Sequence, residues 1–227
     1  MYHARVTPWD AAVLGVSTTE VTFEEPEDVA AYEAESSVAF TTTRLDAHRR
    51  DLQRAVAASG YVQVGTYLRA RGDLRRDADA TATCRLRPAV IADAPRVREL
   101  ISTWDGFGPF FDDRRIPREA AVLRMQNRIG SLMEGPMLVA EDTEGLAGFF
   151  AYRPEPAHTE LVLAGVRAGS GLRGTAFWAQ CFAVMCASGA TYGEGTLSAS
   201  NLGAVNVYAR LGFRFVETLL QYHRHRR

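Results

Sequence analysis

Two segments late in the chain carry residue types and spacings from which chemistry could be built. In "LVLAGVRAGSGLRGTAFW", residues 161 to 178, an apolar run passes into a glycine-rich turn and then directly into a helix-forming stretch. A glycine-rich turn that opens a helix leaves backbone N–H groups free beside the positive end of the helix dipole, which suits a diphosphate. Gly174 would allow close approach, although a flexible strand-to-helix loop has the same pattern. In "SASNLGAVNVYARLGF", residues 198 to 213, Asn201 or Ser200 can cap a helix and Ala204, Val207 and Leu211 form its apolar stripe. Gly212 followed by Phe213 stops and anchors that helix. Tyr208 lies one place off the stripe, where a phenol either points into a crevice or packs as a hydrogen-bonded core residue.

Composition removes several alternatives. None of the 26 residues counted as Lys or Arg is lysine. That excludes Schiff-base and pyridoxal chemistry, which need an amine nucleophile, and P-loop hydrolysis and protein kinases, which need a phosphate-reaching lysine. A formal net charge of -1 points to neither nucleic acid nor an anionic membrane surface. The apolar run 176 to 187 is too short to cross a bilayer, which takes about twenty residues. The opening "MYHARVTPWD" lacks the features of a secretion signal, so a cytoplasmic protein is expected. Cys84, Cys181 and Cys186 have no zinc or redox spacing, and no metal is expected. The run "HRHRR", 223 to 227, reads as a solvated end.

The elements that must position these segments follow from apolar period and breakers. Strands are expected at 37–44 and 61–70 around a helix at 45–59, followed by a polar linker at 71–82. A second unit reads as a strand at "CRLRPA", helices at 91–104 and 117–133, a hairpin of 137–142 with 146–153, and a strand at 160–166. A helix at 174–188, apolar nearly all round, a strand at 191–198, a helix at 201–210 and a last strand complete the pattern. Alternating helices and strands with a central hairpin imply an α/β domain with a mixed sheet. "VAASGYVQVGTYL" from Val56 can be laid on "YARLGFRFVETLL" from Tyr208, with helix, glycine, aromatic and strand in step. Val56 then falls where Tyr208 lies.

Together the two segments resemble the GNAT N-acetyltransferase superfamily. Its Q/R-x-x-G-x-G/A pyrophosphate loop is matched by Gly171-Leu172-Arg173-Gly174-Thr175-Ala176, with Gly171 in place of the family's Arg or Gln. Its N-x-x-A-x-x-x-Y-x-x-x-G-F segment is complete from Asn201 through Ala204 and Tyr208 to Gly212 and Phe213. The resemblance implies a central mixed, splayed β-sheet flanked by helices over 83–227, preceded by a smaller, degenerate GNAT-like α/β domain over 1–82. "PWDAAVLG", "ASGYVQVGT", "RLRPAVIADAPRVRELI" and "FFDDRRIPREAA" are most similar to the sugar-nucleotide branch exemplified by TDP-fucosamine acetyltransferase, whereas "LRMQNRIGS" lacks that branch's aromatic residues.

The resemblance further implies acetyl-CoA as cosubstrate, lying between the strands at 160–166 and 192–198. Gly165, Val166, residues 171 to 176, Asn201 and Ala204 would contact it. An amine would attack the thioester directly, with the backbone N–H near Leu163 stabilising the oxyanion and Tyr208 protonating the leaving thiolate. Glu160, His158 and Asp113 are candidates for the base that takes the amine's proton, and Asp112, Arg114 and Arg115 for contact with a sugar-nucleotide diphosphate. The expected partner is a small-molecule amine, an amino-deoxysugar nucleotide in the favoured reading, with a homodimer left open. The rivals are a GNAT acting on an antibiotic, an amino acid or a peptide N-terminus, and a non-catalytic acyl-CoA-binding protein.

Overall fold

The computed structural model describes residues 1–75, 84–102, 106, 108–170 and 174–226. The chain begins with β1 (His3–Val6), α1 (Pro8–Leu14), β2 (Thr18–Thr22) and α2 (Pro26–Glu35), then β3 (Phe40–Asp46), α3 (Arg50–Ala58) and β4 (Val62–Asp73). It continues with β5 (Arg85–Pro88), a 3-10 turn at Ile91–Asp93, α4 (Ala94–Ser102), α5 (Pro109–Asp112) and α6 (Arg118–Leu132). The last part is β6 (Met137–Asp142), β7 (Gly145–Pro154), β8 (Thr159–Val166), α7 (Gly174–Ala187), β9 (Tyr192–Ser198), α8 (Leu202–Arg210) and β10 (Arg214–His225).

The strands form one mixed sheet in the order β1-β2-β3-β10-β4-β9-β8-β7-β6-β5. β2 runs parallel to β3 and β8 parallel to β9, while the other pairings are antiparallel. Side chains alternate across a strand, so the hairpin β6–β7 feeds two cores. Leu138, Ala140 and Phe150 meet Phe177, Phe182 and Met185 of α7 on one face. Val139, Phe149 and Ala151 meet Val97 and Ile101 of α4 and Met125 and Ile129 of α6 on the other. α7 buries seven of its side chains, as its nearly unbroken apolar run implies.

Several expected boundaries move. Leu45 and Asp46 belong to β3, not to the following helix, because burial at Thr41, Thr43 and Leu45 follows the strand's period of two. Arg71 to Asp73, expected in a linker, continue β4 against β9, and the rest of that linker from 76 to 82 lies outside the described residues. Over residues 223 to 226 the basic run is not a solvated end, and Arg227 lies outside the described residues. His223 is fully buried within β10, His225 binds Asp113, and Arg224 and Arg226 pair with Glu33.

The internal repeat extends beyond the helix-glycine-strand junction. One constant shift along the chain carries β3, α3 and β4 onto β9, α8 and β10, boundary for boundary. Gly60 and Gly212, both at positive φ, occupy equivalent helix stops. The two final strands pair with each other: Arg69 opposes Glu217, Gly65 opposes Gln221, and Tyr67 opposes Leu219. Under the shift Tyr67 and Leu219 are equivalents, so a local pseudo-twofold passes through that pair. In the first copy Leu52 and Val56 stand where Ala204 and Tyr208 stand in the second, and both pack into an apolar cluster with Phe23, Tyr32 and Tyr61. The approach to α2 and its first turn read Glu24-Glu25-Pro26-Glu27-Asp28, an acidic sequence that would repel a diphosphate.

Candidate active site

β8 and β9 pair only from Thr159–Leu161 to Gly193–Gly195. Beyond that rung the rest of β8 stays with β7, and the end of β9 stays with β4. The local cause lies in β8. Ala151 opposes Leu163 and Tyr152 opposes Leu161, which leaves Val162 as the extra residue of a bulge that bends the strand away from β9. A cavity of about 960 Å³ opens in the fork. Leu163, Gly165 and Val166 line one arm, Thr196 and Ser198 the other, and Gly174, Asn201, Ala204 and Tyr208 come from the helix starts and from α8.

Tyr208 is the buried side chain of α8, whereas Ala204 and Val207 are half-buried because they face the cavity. Its ring meets Phe213 edge-on, with centroids 5.0 Å apart at 87°. Its hydroxyl lies at the vertex of the fork. A Cβ added at Gly195, the last residue of β9 paired with β8, would come 3.1 Å from that hydroxyl and 3.2 Å from Leu161 Cβ. Burial pushes the phenol up to about 12, with the Trp178 indole pulling the other way. The Trp178 indole lies beside that hydroxyl, and the residue lines the same cavity.

The cap alternatives resolve in favour of Asn201, whose Oδ1 accepts from Ala204 N at 3.0 Å while Ser200 bonds Ser198. Gly174 opens α7 and lies against α8, since an added Cβ there would come 3.2 Å from Val207 Cγ2. Thr175 and Ala176 form the first turn of α7 behind it, where helix N–H groups lack intrahelical partners. Gly171, Leu172 and Arg173 lie outside the described residues.

The candidate bases separate. Glu160 and His158 both line the cavity, and Glu160 pairs with Arg153 at 2.9 Å. Asp113 does not line it. Its carboxylate accepts from His223 Nδ1 and His225 Nε2 at 2.9 Å each, and Arg115 Nε and Nη2 donate to it at 2.9 and 3.0 Å. Burial pushes that carboxyl up, but the hydrogen bonds from His223, Arg115 and His225 outweigh it and hold it well below the usual carboxylate range. Arg115 is thereby committed to Asp113. Asp112 accepts from the Tyr67 hydroxyl at 3.1 Å. Among the described residues Asp113, His223 and His225 also bring potential ligand atoms within 4.8 Å of one another, but Arg115 already neutralises the carboxylate, so the cluster fits a structural lock better than a cation site.

Local spacing did not reveal the other side of the cavity. Tyr67, Phe110, Arg44, Arg69, Arg124 and Arg128 line it from β3, β4, α5 and α6. No short motif links these positions, because the sheet order is what brings them together.

No family model matches the sequence, and no curated protein matches it. Solved structures do resemble it. A GCN5-related N-acetyltransferase from Sphaerobacter thermophilus superposes with a TM-score of 0.65 at 17% identity, over 99% of this chain and 76% of that one. A tandem GNAT protein from the clavulanic acid biosynthesis pathway gives 0.62 at 14%, over 93% and 76%. A GCN5-related N-acetyltransferase from Kribbella flavida gives 0.56 at 14%, over 91% and 80%. A bulge-parted pair of parallel strands inside one mixed sheet, and the likeness of that whole arrangement to these structures, give the chain the fold of the GCN5-related N-acetyltransferases.

Proposed function

We propose that the protein is an N-acetyltransferase that moves an acetyl group from acetyl-CoA to the primary amine of a small molecule. The observation that carries this reading is the Tyr208 hydroxyl at the vertex of the β8–β9 fork. The residues present fit the cosubstrate: two parted strands with free backbone edges and a glycine at the start of α7. Gly165 and Val166 would hold the pantetheine arm, and Gly174, Thr175 and Ala176 would meet the diphosphate at the helix start. When bound, acetyl-CoA supplies a thioester carbonyl to which the amine nitrogen bonds as the carbon–sulfur bond breaks.

This chain's groups manage the protons. Glu160 or His158 takes one from the amine, directly or through water, so that a neutral lone pair is available. The Leu163 N–H donates toward the carbonyl oxygen, a kind of contact that lowers a barrier by on the order of 3 kcal/mol. The Tyr208 hydroxyl protonates the departing sulfur. A phenol at about 12 is a weaker acid than a free thiol at about 8.5, but the thiolate leaves inside the same dry fork. Desolvation raises both, so the gap that matters stays close to the difference between the free groups.

The acceptor we favour is an amino-deoxysugar nucleotide, which rests on the N-terminal sequence resemblance alone. Replacing Tyr208 by Phe should lower acetyl transfer tenfold or more while acetyl-CoA affinity stays nearly unchanged, as measured by thiol release and by titration calorimetry. Full turnover in Y208F would remove Tyr208 from its role. Binding of acetyl-CoA with no thiol release across amino sugars, amino acids, peptides and aminoglycosides would favour a non-catalytic acyl-CoA-binding protein.

A further inference from the structure

Four arginines line the wall of the cavity opposite the motif residues, and they differ in how they are neutralised. Arg69 pairs with Glu217 at 2.9 Å and Glu194 at 3.4 Å. Arg124 is bound to the buried Asp10 and lies over the Phe110 ring, 4.1 Å from its centroid. Arg44 and Arg128 have no such partner. Arg44 Nε donates to Gln221 Oε1 at 3.1 Å, and its guanidinium lies over the Tyr67 ring at 5.1 Å, so its direction is fixed while its terminal nitrogens stay free among the described residues. The Arg128 guanidinium makes no hydrogen bond or ion pair among the described residues, although its backbone carbonyl accepts from Ser131 Oγ at 2.9 Å. The carboxylates nearest in effect, Glu20 and Glu160, are engaged by Arg5 and Arg153.

Arg44, Arg124 and Arg128 lie close enough to repel one another, and confinement by the surrounding protein, the larger cause, lowers Arg44 and Arg128 from the ordinary guanidinium range. Both residues are solvent-accessible where they line the cavity, so two guanidiniums with no carboxylate partner stand open to an incoming anion. Arginine forks match phosphate and carboxylate oxygens in pairs. We propose that the amine acceptor carries an acidic group, a phosphate or a carboxylate, and that Arg44 of β3 and Arg128 of α6 bind it. The inference rests on the acetyl-transfer reading for the amine, but not for the anion site. It also gives the first copy of the repeat a use: its strand β3 reaches across β10 to furnish a specificity residue for the second copy's cavity.

The test compares matched probes on the full chain saturated with CoA, so that no turnover is needed. Glucosamine 6-phosphate is titrated against glucosamine, and 4-aminobutyrate against propylamine, by calorimetry. The acid-bearing amine of at least one pair should bind tenfold tighter or more, and the pair that does so identifies phosphate or carboxylate. R44Q and R128Q should each remove most of that preference and leave CoA affinity unchanged. R128K, which keeps the charge but not the fork, should restore part of it. Equal affinity for charged and neutral probes in the wild-type protein overturns the proposal, as does a folded R128K indistinguishable from R128Q. Acid-selective binding with no thiol release from acetyl-CoA for any amine would uphold the anion site and sink acetyl transfer. Thiol release with equal kcat/KM for charged and neutral amines would do the reverse.

Discussion

At the scale of single residues, the spacing Asn201, Ala204, Tyr208, Gly212, Phe213 was legible because every member sits on one helix and its stop. Helix geometry alone relates them. Gly195 was not singled out, although it sets the room that Tyr208 has. In sequence it is one of two glycines that loosen a strand, and only the fold reveals the hydroxyl 3.1 Å from its absent Cβ. Gly195→Ala should therefore displace the phenol from the fork. We expect a destabilisation of about 1–3 kcal/mol in urea unfolding and a drop in acetyl transfer comparable to that of Y208F. Wild-type turnover in G195A would mean that the hydroxyl's position is not critical. Because burial pushes Tyr208 up to about 12, the phenol stays protonated through neutral pH. The kcat profile should accordingly show no falling limb from this group below about pH 10. A break between pH 8 and 9 that disappears in Y208F would contradict that.

At the scale of elements, strands and helices of the second unit were readable wherever burial imposed one clear period, as in β6, β7 and α7. β1, α1, β2 and α2 are not legible in the sequence, because α2 buries only Val29 and Tyr32 and β1 is exposed throughout, leaving little pattern to read. The sequence of β10 reads as a strand, but its last residues read as a solvated end because histidine and arginine seldom line a core. They do so here because α5 and the loop after it bring Asp113 over β10, where His223 and His225 donate to its carboxylate. His223 is lowered by burial against the pull of Asp113, and its Nε2 is buried without a partner, so the folded state prefers the neutral ring. The folded value lies below the unfolded one, so this stability is complete above about pH 6.5 and erodes as pH falls below it. Asp113, also lowered on folding, adds a second loss that begins near pH 4. Urea unfolding at a series of pH values should show stability level above neutrality and falling in these two stages. D113N should lose about 2 kcal/mol at pH 7, where the native carboxylate is charged and hydrogen-bonded. A flat profile down to pH 4 would contradict the assignment.

At the scale of the whole molecule, the duplication was glimpsed from one helix-glycine-strand junction, and the structure extends it to three elements in step. What local pattern could not convey is the sheet order. The arginine-lined wall of the cavity depends on it, because Arg44 reaches the cavity only when β10 lies between β3 and β4. Strands from both sides of residue 82 share hydrogen bonds, with β10 paired to β3 and β4 at once and β4 also paired to β9. Deleting residues 1–75 would strip both neighbours from β10 and bare an apolar edge. That fragment should aggregate on size-exclusion chromatography, and the intact chain should unfold in a single urea transition seen alike by circular dichroism and fluorescence. A monomeric, cooperatively folded fragment would show that the second unit is self-sufficient. The central place of β10 also bears on how the molecule is made. The ribosome releases β3 and β4 well over a hundred residues before the strand that must slide between them, an interval on the order of ten seconds at ordinary bacterial translation speeds. Until β10 is made, β3 and β4 lack the strand that joins them, so the edges they turn toward it stay open to chaperones and to mispairing until synthesis has passed the last helix.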